Sequence, residues 1–228
     1  MEIITTLSYV IHIACGTSAL LCGAVALSIL KGGRQHKRFG RMYFWSMFGV
    51  MVSAIALSII HPNVFLFTIA IFSFYMAYTG RSRTRMKQPG KEGAITTLDW
   101  AVSIVALVTG IGMLYRAFTH YGFGMGWNPV LVVFGGLCTF FAVRELQFFM
   151  KRNDPQKDKM RWFFDHLARM CGAYIATVTA FVVVNVHFLP FYIPWLGPTV
   201  IGSAGITYWT VIYKGKFAKK IPVPNVEG

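Results

Sequence analysis

The chain has 228 residues, 55% of them hydrophobic and only 13% charged, where a soluble domain carries about 25% charged residues. Its 22 Lys and Arg exceed eight Asp and Glu, giving a formal charge of +14. The cations form short clusters between long apolar runs and no stripe interleaved with aromatics, which excludes a nucleic-acid surface and fits a lipid-solvated protein with basic loops.

A spanning helix needs about 20 mostly apolar residues. Seven such runs are predicted, at 3–30, 42–60, 64–80, 94–116, 129–150, 165–188 and 195–213. The first lacks a basic leader region and is too long for a cleaved signal, so it is expected to stay as a helix. The basic loop KGGRQHKRFGR leads to the second run, and the turn His61-Pro62-Asn63 to the third. RSRTRMKQPGKEG is a further basic loop, and THYGFGMGWN joins the fourth run to a fifth that opens on Pro129, a favoured first helical residue. KRNDPQKDKMR and LPFYIP connect the last three runs, and a basic tail closes the chain. The expected fold is all-α: a single-domain polytopic membrane bundle of seven transmembrane helices.

Lys and Arg are retained on the cytoplasmic side of short loops. Five lie between Lys31 and Arg41, five between Arg81 and Lys91, seven between Arg144 and Arg169 and four between Lys214 and Lys220, leaving only Arg116 on the other side. This census predicts the N-terminus outside and the C-terminus inside. The competing topology has six spans, with the last run, interrupted by Gly197-Pro198 and Gly202, lying re-entrant. Trp195 and Tyr213 bracket that run and are expected to anchor it at the two interfaces. Small residues at every fourth position, Cys15, Ala19 and Gly23 in the first run and Gly172, Ala176 and Ala180 in the sixth, let helices approach closely. They serve packing within the chain first and contact with a second copy or another membrane protein second. Cys15, Cys22, Cys138 and Cys171 lie within apolar runs, without a CxxC pair, and read as packing residues.

Ionisable residues inside membrane spans mark candidate sites. On the outer side the topology collects His12, His61 and His187, with His120 nearby, at one depth. Converging imidazoles from separate helices are how bundles hold haem iron or a transition metal. On the inner side it collects His36 and His166, together with Asp99, Arg144, Glu145, Asp165 and Arg169. Asp99 and the Arg144-Glu145 pair each fall about six residues inside neighbouring helices, so a buried ion pair between them is expected. His166, Ala173, Ala180 and His187 recur at heptad spacing. The 21 residues between the two histidines cover about 31 Å, which puts them at opposite interfaces and excludes a stacked pair of buried haems on this helix. A retinal Schiff base, a zinc-protease helix, a nucleophile elbow and a phosphate loop all lack their residues.

The segments HIACGTSALLCGAVAL, KGGRQHKRFGRMYFWSM, FSFYMAYTGRSR and HLARMCGAYIATVTAFVVVN, with PTVIG, resemble a bacterial family of multi-pass membrane proteins catalogued as a domain of unknown function. The resemblance covers nearly the whole chain. It implies a helical protein of the bacterial inner membrane and carries no activity with it; His12, His36 and His166 stand near the starts of the resembling segments.

Three functions follow as expectations. The first is a membrane protein whose histidines hold haem b or a transition metal, with His12 opposite His61 or His187 outside, or His36 opposite His166 inside, for electron transfer. The second is a proton-linked small-solute transporter or channel using the inner polar cluster. The third is an accessory or assembly subunit with no chemistry of its own.

Overall fold

The computed structural model describes residues 2–87, 94–120, 128–151, 160–190 and 192–218. Seven helices follow in order: α1 Glu2–Ser28, α2 Arg34–Ile60, α3 Val64–Ser82, α4 Thr97–His120, α5 Asn128–Met150, α6 Arg161–Asn185 and α7 Tyr192–Ala218, with one 3₁₀ turn, Arg83–Arg85, after α3. No strand occurs among the described residues. Among the described residues, five of the helices, α1, α2, α4, α5 and α6, are long and apolar enough to cross a membrane. The glycines, Pro198 and hydroxyl residues of α7 dilute its apolar character. α7 is nevertheless continuous through Gly197-Pro198 and Gly202, where the re-entrant alternative requires a break. α2 begins eight residues before the expected Met42, because the basic loop itself winds into its first two turns.

Local chemistry sets the ends. Gly32 takes a left-handed φ of 80°, which turns the chain out of α1 and into Gly33, the N-cap of α2. Lys31 folds back over the end of α1 and donates to the carbonyls of Ala26, Leu27 and Ile29, satisfying acceptors that have no partner within the helix. Asn63 caps α3 through Oδ1, which accepts from the Leu66 N–H at 3.1 Å. Thr96 and Asp99 form a capping box at α4. Asp99 Oδ2 accepts from the Thr96 N–H at 2.7 Å, and the Asp99 N–H is 3.4 Å from Thr96 Oγ1.

Consecutive helices pair as α1 with α2, α4 with α5 and α6 with α7, and α3 is the hub, touching α2, α4, α5 and α6. Small residues permit these contacts. A Cβ on Gly110 would stand 2.7 Å from the backbone nitrogen of Thr139 on α5, and one on Gly80 would stand 3.1 Å from that of Met170 on α6. Ala19 is fully buried and Gly23 faces Tyr174 and Tyr43, so the small stripe of α1 is used against α2 and α6. Trp195 is buried and packs edge-on to Phe134 at 6.3 Å, while Tyr213 packs against Phe163 and Phe217. Trp195 is thus engaged in packing against α5.

Large apolar side chains face outward around an apolar core that also encloses charged groups, which a soluble fold avoids. Val108, Val184, Val200 and Ile201 are exposed, while Arg83, Asp99, Glu145 and Arg169 are buried. Lipid as solvent accounts for both halves of that pattern.

Candidate functional site

Charged groups gather at one end of the bundle, which we term the basic end. Contacts between distant segments define it: Lys87 lies over Trp162, Lys214 over Phe164 and Lys31 over Trp209, each ring centroid within 5.8 Å of the ammonium. The loops after α1 and α3, the start of α6 and the end of α7 therefore share one side.

Two histidines meet there. The rings of His36 and His166 have centroids 6.4 Å apart and stand at 79° to each other. Each is tethered at Nδ1 by a helix end. His36 Nδ1 lies 3.0 Å from the Ala26 carbonyl at the end of α1, and His166 Nδ1 lies 2.7 Å from the Gly80 carbonyl at the end of α3. A carbonyl can only accept, so Nδ1 carries the proton in both rings, and in the neutral imidazole the lone pair is on Nε2. Lys31 stands electrostatically close to His36, and Lys87 to His166. Lys31, which lies between helices, has its pKa lowered chiefly by desolvation.

The outer histidines do not form a comparable group. His12 Nδ1 is 3.1 Å from Ser53 Oγ, pairing α1 with α2. His61 is the exposed C-cap of α2, and His187 is exposed beyond the end of α6. The side chain of His120 lies outside the described residues. No hydrogen bond or ring contact joins His12, His61 and His187 among the described residues, because His12 is engaged by Ser53 of α2 while His61 and His187 are exposed. No group of three or more His, Cys, Asp or Glu is placed to hold a metal ion among the described residues.

Beside the histidine pair lies an ion-pair cluster. Glu145 on α5 is fully buried, and its Oε2 accepts from Arg83 Nη2 and Arg169 Nη2, both at 2.5 Å. Arg169 also donates from Nη1 to Thr79 Oγ1 at 3.0 Å, and Thr79 donates on to the Tyr75 carbonyl. Asp165, partly exposed, stands 3.5 Å from Arg83 Nε and 3.7 Å from Arg161 Nε. The Arg83 guanidinium also covers the Phe148 ring at 4.0 Å. Asp99 pairs with Arg85 at 2.7 Å.

This differs from the expected pairing of Asp99 with Arg144 and Glu145. Arg144 is exposed and lies over Phe140 at 5.8 Å, since one step along α5 turns it away from Glu145 by about 100°. The partner cations are Arg169, already among the expected inner residues, and Arg83 and Arg85, whose segment reads in the sequence as a basic loop. The RSRTR run at the end of α3 was the available signal. Its 3₁₀ turn buries Arg83 beneath the bundle and brings Arg85 onto Asp99 at the start of α4, instead of releasing both to solvent.

No protein-family model, curated protein or solved structure is similar to the chain. Function is therefore argued from the site.

Proposed function

We propose that the protein is a seven-span membrane protein, N-terminus outside and C-terminus inside, that holds a transition-metal ion, bare or as haem iron, between His36 and His166 at its inner face. The ring separation carries this reading. With metal–nitrogen bonds of about 2.0–2.1 Å and ring nitrogens about 1.1 Å from the ring centre, two imidazoles spanning one ion have centres up to about 6.3 Å apart. The pair stands at 6.4 Å. The tethered Nδ1 atoms support it further, since a ligating histidine typically donates its other ring N–H to a carbonyl or carboxylate that fixes tautomer and orientation. The two ligands arrive on α2 and α6, and their rings are held by the ends of α1 and α3, so the ring positions are set by the bundle and not by a free loop.

A bound iron or copper would supply one-electron chemistry at the inner interface. For haem, Lys87 beside His166 would supply a charge that pairs with a propionate, while Lys31, bound to the end of α1, would add positive potential beside His36. The bacterial inner membrane and the N-out orientation belong to the same proposal. The orientation rests on the charge census, in which Arg116 alone of 22 cations falls on the outer side.

Absorption spectroscopy and metal analysis of the purified protein, produced with haem precursor and with added metals, test the reading. A Soret band or a stoichiometric metal is expected, lost in His36→Ala and His166→Ala and retained in His12→Ala and His187→Ala. Apoprotein under every loading condition sinks it, as does full loading of the His36→Ala, His166→Ala double variant.

A further inference from the structure

Buried polar atoms in a folded protein have partners, and three oxygen atoms around Glu145 have none among the described residues. They are Glu145 Oε1, the Tyr75 hydroxyl and the Ser103 hydroxyl, each on a residue no more than 1% exposed. They belong to one place. The Tyr75 side chain on α3 lies beside Glu145 of α5, Arg169 of α6 and Ser103 of α4; its hydroxyl approaches the Arg169 and Ser103 side chains, but no contact there reaches full hydrogen-bond distance and angle. Glu145 Oε2 serves two guanidinium groups while Oε1 serves none, an asymmetry that packing alone leaves unexplained.

The two sides of this cluster differ. Toward the basic end, the Tyr78 hydroxyl lies beside Arg85 and Asp99, and the polar series continues to the Asp165 and Arg85 side chains, 31% and 43% exposed. Toward the opposite end, Phe72 packs on Phe134 at 5.7 Å and Phe134 on Trp195 at 6.3 Å. Ala106, Met113 and Cys138 fill the same side, all buried. A polar approach thus stops at an aromatic plug.

We infer that Glu145 Oε1, Tyr75 and Ser103 form a water site, supplied from the basic end along this polar series and closed by Phe72, Phe134 and Trp195, so that the bundle contains an aqueous half-channel. Water has the required valence. It donates to the carboxylate oxygen and accepts from either hydroxyl, and a buried water typically makes about three such bonds. The site brings solvent to a fully buried carboxylate and is independent of the histidine pair.

Two measurements on the full chain in lipid vesicles test it. Ser103→Cys should be modified at that position by a membrane-impermeant methanethiosulfonate added on the basic side, in protein that still melts cooperatively. Cys138, on the plug side, should stay unmodified in the parent. Tyr75→Phe should lower Tm by several degrees, since it removes a hydroxyl that water satisfies; an unsolvated hydroxyl would cost stability, and its removal would raise Tm. Modification together with a lowered Tm supports the half-channel. Absence of label at the substituted position in Ser103→Cys overturns it, as does an unchanged or raised Tm in Tyr75→Phe; the first of these covers the case in which Tyr75 bonds Glu145 directly and Tm falls without modification. If Ser103→Cys does not melt cooperatively, the same label is read at Tyr78→Cys on the polar series, and its absence there overturns the half-channel.

Discussion

Glu145→Gln is the most informative single substitution in this fold. It keeps the shape of the side chain and removes the charge that two arginines share. The affected side chains are 3%, 8% and 0% exposed for Arg83, Arg169 and Glu145, so solvent screens the loss little. Leaving a buried charge without its counter-ion costs about 3–5 kcal/mol. Arg83 retains Asp165 at 3.5 Å and Arg169 retains Thr79 at 3.0 Å, which keeps the figure near that range even though two pairs are cut. For a chain of this length, about 2–4 °C of Tm accompanies each kcal/mol, so a fall of roughly 6–20 °C is expected. Tryptophan fluorescence during a thermal ramp in lipid nanodiscs reads it. A companion variant, Arg83→Met with Glu145→Leu and Arg169→Met, replaces the whole triad with apolar side chains and should melt within a few degrees of the parent, or above it. A Glu145→Gln shift under about 2 °C would refute the reasoning, because the charge would then be unimportant to Arg83 and Arg169 where the geometry makes it central.

Three further outcomes follow from the same coordinates. Asp99→Asn and Thr96→Ala each remove one side of the capping box on α4 and should each cost about 0.5–2 kcal/mol; the Asp99 to Arg85 pair adds little, since Arg85 is 43% exposed. The double variant should cost less than the sum, as read by thermal melts. Gly110→Ala forces a Cβ to within 2.7 Å of the Thr139 backbone nitrogen, where neither helix can yield cheaply, and should cost about 1–3 kcal/mol; Gly112→Ala, with nothing within 4 Å, should be neutral. Metal or haem affinity should be pH-dependent with a defined sign: protons compete for Nε2, so binding weakens as pH falls and strengthens as it rises. An affinity that does not change with pH in equilibrium dialysis would argue against imidazole ligation.

Much of the architecture is legible in the chain because helix formation in lipid is a local matter. Apolar runs of spanning length, a proline opening α5, the asparagine capping α3 and the Thr96-to-Asp99 spacing all act over a few residues, and each corresponds to a helix or a helix end in the structure. The clustering of cations into loops is likewise readable, since it needs only a count. Boundaries were less so: the start of α2 winds through a segment whose charges read as loop, since Lys and Arg are good helix formers once their side chains can reach water.

The pairing of charges belongs to the tertiary structure. Glu145 and Arg144 are adjacent in sequence, yet one is sealed in the bundle and the other faces outward, a difference set by the rotation of α5 against α3 and α6. Arg83 becomes the most buried guanidinium partner of Glu145 from 62 residues away, through a single 3₁₀ turn that no composition rule marks. His12, His61 and His187 make no mutual contact among the described residues, while His36 and His166, far apart in the chain, meet because α1 and α3 end where each can donate to an unsatisfied carbonyl. Sequence determined which residues are helical, which lie at helix ends and where positive charge collects, since each of these is set by neighbours along the chain. Only the packing of α3 against its four neighbours decided which ends face one another, because that depends on helix rotation and on contacts between residues far apart in sequence.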